Sequence, residues 1–94
     1  MEGNVTSKAI AENIYYLAKF RKYPIYEVEQ YLGLSKGYIS RVRNGKKKRL
    51  SVDVVAKAMR FFDVDFDDIL FTDYQYLWKD QEITNYVFKE DSYE

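Results

Sequence analysis

The sequence predicts an all-α fold: five short helices around one core, followed by a short C-terminal extension of different character. Three observations predict it. Apolar residues recur at helical spacing between Ser7 and Leu70, and the breakers Pro24, Gly33 and Asn44-Gly45 fall between the periodic stretches. From Phe71 to Glu94 the periodicity fails, in a segment where seven of 24 residues are aromatic. The expected division is therefore a helical domain over 1–71 and an acidic, aromatic extension over 72–94.

Met1 to Thr6 is short and polar and is expected to fray. From Ser7 to Phe20, Ile10, Ile14, Leu17 and Ala18 form one face of a first helix, with Asn4, Thr6 or Ser7 available as its N-cap. Pro24 disfavours helical geometry in Tyr23 and suits the first turn of a second helix, Pro24 to Leu32. Gly33 follows as a left-handed cap, and Ser35 can accept a hydrogen bond from the first turn of a third helix, Lys36 to Asn44. Ser51 is placed to cap a fourth helix ending at Phe62, with Asp53 in its first turn and Val55, Ala58, Met59 and Phe62 as its buried stripe. Asp65 starts a short fifth helix in which Phe66, Ile69 and Leu70 complete the core.

The stretch from Pro24 to Gly45 organises the rest. Val28, Leu32, Leu34, Ile39 and Val42 place two short amphipathic helices against a common interior, joined at Gly33-Leu34-Ser35. This is the helix-turn-helix pattern. Its second helix is anchored by Ile39 and Val42, while Lys36, Gly37, Tyr38, Ser40, Arg41 and Arg43 are cationic, aromatic or small. Such a helix fits a DNA major groove, although cations are common on any solvated helix face.

Composition narrows the chemistry. The chain has no Cys and no His, so a disulfide framework, a thiolate metal site and the commonest general base are all absent. Catalysis would rest on carboxylates alone, and no paired acids stand at a recognisable spacing. Neither an enzyme nor a cofactor or metal is expected. No apolar run approaches the roughly 20 residues that span a bilayer, and no signal-peptide pattern is present, so a cytoplasmic, soluble protein without a membrane partner is expected.

The formal net charge of zero conceals a division. Residues 1–60 carry thirteen Lys or Arg against five Asp or Glu, and residues 61–94 carry two against ten, net +8 and −8. Basic surface gathered in one part of a neutral chain is an electrostatic footprint for nucleic acid. Its densest run, Lys46-Lys47-Lys48-Arg49, directly follows the third helix, within reach of phosphates.

In the extension, Tyr74, Tyr76 and Trp78 alternate with Gln75 and Leu77, and Ile83 to Phe88 is rich in strand formers. The polar link Lys79-Asp80-Gln81-Glu82 suggests a β-hairpin, with a short helix over the first segment as the alternative.

Over roughly Ala11 to Leu70 the chain resembles the Cro-type, phage-repressor-like helix-turn-helix family. Leu32-Gly33-Leu34-Ser35, Ile39-Ser40, Asn44-Gly45 and Val64 to Leu70 carry the resemblance. It implies a five-helix, lambda-repressor-like domain that binds double-stranded operator DNA as a dimer. The family's base-reading positions fall on Lys36, Gly37, Tyr38 and Arg41. Its phosphate-contacting positions fall on Ser40, Arg43, Asn44, Lys46, Lys47, Lys48 and Arg49.

Several positions depart from the family pattern. Ile25 stands where Gln is common, Glu29 where the residue is usually small, and Asp63 where Gly usually ends the fourth helix. The family's frequent Arg–Glu pair between the first and third helices is replaced by Ala18 and Arg43, which leaves Arg43 to add to the positive surface.

The expected function is a sequence-specific DNA-binding transcriptional regulator of the phage or mobile-element kind, a repressor acting as a homodimer on a palindromic operator. Tyr74, Tyr76, Trp78, Tyr86 and Phe88 are the expected dimerisation residues, because the extension offers aromatic surface and its acidity keeps it off phosphates. The competing reading is an antitoxin-like or adaptor module whose acidic aromatic tail binds a protein partner.

Overall fold

The computed structural model describes the backbone of residues 2–46 and 49–80, with side chains from Thr6 onward. Five helices follow in the expected order: α1 over Glu2–Arg21, α2 over Ile25–Leu32, α3 over Tyr38–Arg43, α4 over Val52–Phe62 and α5 over Phe66–Phe71. A sixth helical segment, α6, covers 74–80.

Helix α1 is the spine, with α2, α3, α4 and α5 all packed against it. Its face of Ile10, Ala11, Ile14, Leu17 and Ala18 is buried. Because α1 begins at Glu2, the three residues expected to cap it lie inside it. Ser7 is instead buried, and its hydroxyl accepts a hydrogen bond at 3.1 Å from the backbone N–H of Leu50, tying α1 to the approach to α4. The chain leaves α1 through Lys22, which adopts a left-handed conformation at φ 62°. Pro24 stands just before α2 as its N-cap rather than in its first turn. Gly33 closes α2 at φ 76°, where a side chain would be strained.

The hydroxyl of Ser51 caps α4 by accepting from Val54 N–H at 3.1 Å, and the Asp65 carboxylate caps α5 by accepting from Asp68 N–H at 2.8 Å. Asp63 ends α4 in the left-handed conformation usually left to Gly. Four expected core positions differ, Leu34 and Leu70 being only half-buried against the core. Met59 is only half-buried, with Val54 taking the deeper position on α4, and Phe66 is exposed on the outer side of α5.

The hairpin expected in the extension is corrected over its first arm, since 74–80 is helical and no strand occurs among the described residues. The reason lies in α1. Tyr74 and Trp78 stand four apart, so a helix brings both onto Phe20, with ring centroids at 6.3 and 5.4 Å. The buried Asn13 side chain donates to Ile69 C=O at 2.7 Å and accepts from Tyr74 N–H at 3.3 Å, so one amide joins α1, α5 and α6. Asp73 caps the new helix by accepting from Tyr76 N–H at 3.1 Å. Ile83 to Phe88, the second arm, lies outside the described residues, and with it Tyr86 and Phe88.

Candidate nucleic-acid interface

Helix α3 has six residues, far fewer than the dozen or so that make an isolated helix marginal in water. Its packing holds it. Ile39 and Val42 are essentially fully buried, and each contributes on the order of 1.5–3 kcal/mol. Val28 and Leu32 of α2 and Ile14 of α1 belong to the same cluster.

The beginning of α3 is held by a residue from another helix. Glu29 of α2 is 2% exposed, and its two carboxylate oxygens accept from Gly37 N–H at 3.0 Å and Ile39 N–H at 2.9 Å. A buried carboxylate is costly unless it is hydrogen-bonded, and two backbone donors at a helix N-terminus satisfy that need. The capping role expected of Ser35 is therefore corrected: α3 has no N-cap side-chain bond, and Gly37 is its N-cap residue at φ 83°. Glu29, a misfit to the family pattern in sequence, is the brace that fixes α3 to α2.

Helical geometry sorts the candidate residues. Tyr38 and Arg43 border the Ile39–Val42 stripe, and Gly37, Ser40 and Arg41 lie on the outer face. Lys36, Ser40, Asn44, Lys46 and Arg49 are exposed, whereas Gly37, Tyr38, Arg41 and Arg43 are half-buried. Lys47 and Lys48 lie outside the described residues.

Two of these residues are held within the fold. The Tyr38 hydroxyl donates to Arg49 C=O at 3.0 Å and so pins the basic loop beside α3. The Arg43 Nε donates to Glu12 Oε1 of α1 at 2.5 Å, and its guanidinium lies 3.8 Å from the centroid of the Tyr15 ring. Burial works against the Arg43 charge, but the bond to Glu12 and the nearby carboxylate charge outweigh it and hold its pKa above the ordinary arginine value. The expectation that Arg43 simply adds to the positive surface is corrected, because Glu12 neutralises it. An ion pair between α1 and α3 is thus present, with Arg43 as the cation and Glu12, rather than position 18, as its partner on α1.

Arg41 points back over the start of its own helix. Its Nη2 donates to Ser35 Oγ at 3.0 Å and its Nη1 to Lys36 C=O at 3.4 Å. A cleft of about 340 Å³ lined by Tyr15, Tyr26, Lys36, Ser40 and Arg43 continues this surface toward the start of α2. Tyr26 was not among the sequence candidates, although its place in the first turn of α2, ahead of a cationic helix, could have marked it.

The arrangement is a helix locked to the core on one side, cationic and open on the other, with a basic loop at its end. A family model described as helix-turn-helix matches residues 17–69, more than half of the chain. The chain belongs to the Cro/C1-type helix-turn-helix family. This family membership makes it a DNA-binding transcription regulator. Comparison with curated proteins and with solved structures gives no match. Among the described residues, no group of three or more His, Cys, Asp or Glu could hold a metal ion, and no helix is long and apolar enough to cross a membrane.

Proposed function

We propose that this helix-turn-helix protein is a transcriptional repressor that binds a palindromic operator as a homodimer, with α3 of each copy in the major groove. The observation that carries the reading is the open face of α3. Arg41 stands on a helix whose other side is buried and Lys36 in the turn just before it, and both can donate to the O6 and N7 of guanine. Tyr38 borders the groove and sets the loop, while Gly37 lets the backbone approach the bases. Ser40, Asn44, Lys46, Lys47, Lys48 and Arg49 contact phosphates, and Arg43 does so only when Glu12 releases it.

Dimerisation through residues 72–88 places the two copies on half-sites. Tyr74 and Trp78 are half-buried against α1, so Tyr76 and Leu77, 65% and 44% exposed, are the contacts available in α6. Phe71, 74% exposed at the end of α5, is a further exposed apolar side chain. Hydroxyl-radical protection on the DNA flanking the protein's own gene tests the reading. Two protected patches about one helical turn, roughly 34 Å, apart support it. Uniform protection without a preferred site contradicts it.

A further inference from the structure

We propose that Ser35 and Gly37 determine specificity by positioning Arg41, an inference that rests on the reading of Arg41 as a base contact. The guanidinium of a surface arginine ordinarily samples many rotamers, and reading a guanine requires two N–H groups held in one plane and direction. Arg41 is held before any DNA arrives. The Ser35 hydroxyl accepts from Nη2 at 3.0 Å, and the Lys36 carbonyl accepts from Nη1 at 3.4 Å. Each guanidinium nitrogen of this kind carries two hydrogens, so both keep a donor for a base.

Gly37 makes that arrangement possible. A Cβ built there would lie 3.2 Å from Arg41 Nη1, tighter than nine in ten such contacts, so the guanidinium would have to shift by a few tenths of an ångström, and the residue's φ of 83° is one that side chains rarely adopt. Gly37 brings no group of its own to a base. It leaves the space in which the Arg41 guanidinium lies across the start of α3, where Glu29 already holds the Gly37 and Ile39 N–H groups. The backbone of α3 is fixed by Glu29, and the side chain that reads from it is fixed by Ser35. These are two separate attachments, so the second can be removed without the first.

Ser35 is exposed and makes no side-chain cap to α3, so its replacement leaves the fold in place. The test uses a duplex selected by the wild-type protein from a pool with a randomised core, each single-base variant of that duplex, and a random-sequence duplex. Ser35→Ala is expected to lose about three- to tenfold of the preference at the base pair that Arg41→Ala also affects, with random-duplex affinity and melting temperature unchanged. Ser35→Thr, which keeps the hydroxyl, restores the preference. In an Arg41→Ala background, Ser35→Ala has no further effect.

Unchanged preference in Ser35→Ala, where Arg41→Ala loses it, overturns the positioning role and leaves the base contact standing. A gain of affinity in Ser35→Ala also overturns it, since Ser35 would then be restraining Arg41 from the DNA. Full preference in Arg41→Ala, or a pool that yields no enriched sequence, overturns the base-reading assignment and this inference with it. Gly37→Ala is expected to reproduce the Ser35→Ala loss at the same base pair; loss spread evenly over all base pairs instead contradicts the role given to Gly37.

Discussion

The carboxylate of Glu29 and the backbone N–H of Ile39 lie 2.9 Å apart, and through this bond α2 holds the first turn of α3, the helix proposed to read DNA. With the companion bond from Gly37, the pair replaces the side-chain cap that α3 lacks. Glu29→Ala leaves two backbone donors without their acceptor. Each costs on the order of 1–3 kcal/mol, so a loss of about 2–4 kcal/mol is expected after partial hydration. Urea unfolding checks this through a lower midpoint at unchanged slope. A change below about 0.5 kcal/mol, the range of ordinary surface substitutions, contradicts the brace.

Roles set by helical period or by chain neighbours are legible in the sequence, and roles set by a partner on another helix are not. Ile10, Ile14, Leu17, Val28, Leu32, Ile39 and Val42 were legible because burial follows helical period, and Gly33, Ser51 and Asp65 because caps depend on nearest neighbours in the chain. Glu29 was not, because its partners Gly37 and Ile39 lie eight and ten residues away on a second helix. A misfit to the family pattern was the only sign it left. Arg43 hid its partner in the same way, with Glu12 thirty-one residues earlier. The half-buried positions of Tyr38 and Arg43 could have been read from the helical wheel through Ile39 and Val42. The α6 segment misled by composition: Tyr74, Tyr76 and Trp78 fit period two, while the pairing of Tyr74 and Trp78 with Phe20 required knowing where α1 ran.

Glu12→Gln releases the Arg43 guanidinium. Both side chains are partly exposed, 21% for Arg43 and 26% for Glu12, so solvent screening limits the stability cost to about 1 kcal/mol or less. Random-duplex binding should tighten, and its salt dependence should steepen by roughly 0.9 if Arg43 takes up one phosphate. A titration of affinity against salt concentration checks this. An unchanged slope means that the Arg43 position cannot reach the backbone.

Lys46→Ala and Arg49→Ala together should weaken operator and random duplex alike. The slope of log affinity against log salt is expected to flatten by about 0.9 for each phosphate no longer neutralised. Weakening confined to the operator, with the slope intact, contradicts a phosphate role.

Tyr74 links α6 to pH. Burial raises its pKa above the ordinary value of about 10, with the Asp68 charge acting in the same direction. The folded state thus retains this proton at pH values where the unfolded chain has lost it. The contribution is fully present below about pH 10 and is lost as pH rises through the higher folded value. Tyr74→Phe removes the ionisation, so the difference in stability between wild type and variant should be constant up to about pH 9 and then shift in favour of the variant. A difference that stays constant to about pH 11 means that the Tyr74 hydroxyl is as well solvated in the folded protein as in the unfolded chain.

The proposed placement of α3 in the major groove is checked by guanine methylation interference. Methylation at guanine N7 blocks the major-groove edge that an arginine or lysine would contact. On a duplex selected by the wild-type protein, methylation of one or two guanines in each half-site is expected to abolish binding, and for Arg41→Ala one of those positions should become indifferent. Interference confined to adenine N3 in the minor groove, or an unchanged pattern in Arg41→Ala, contradicts the placement of α3.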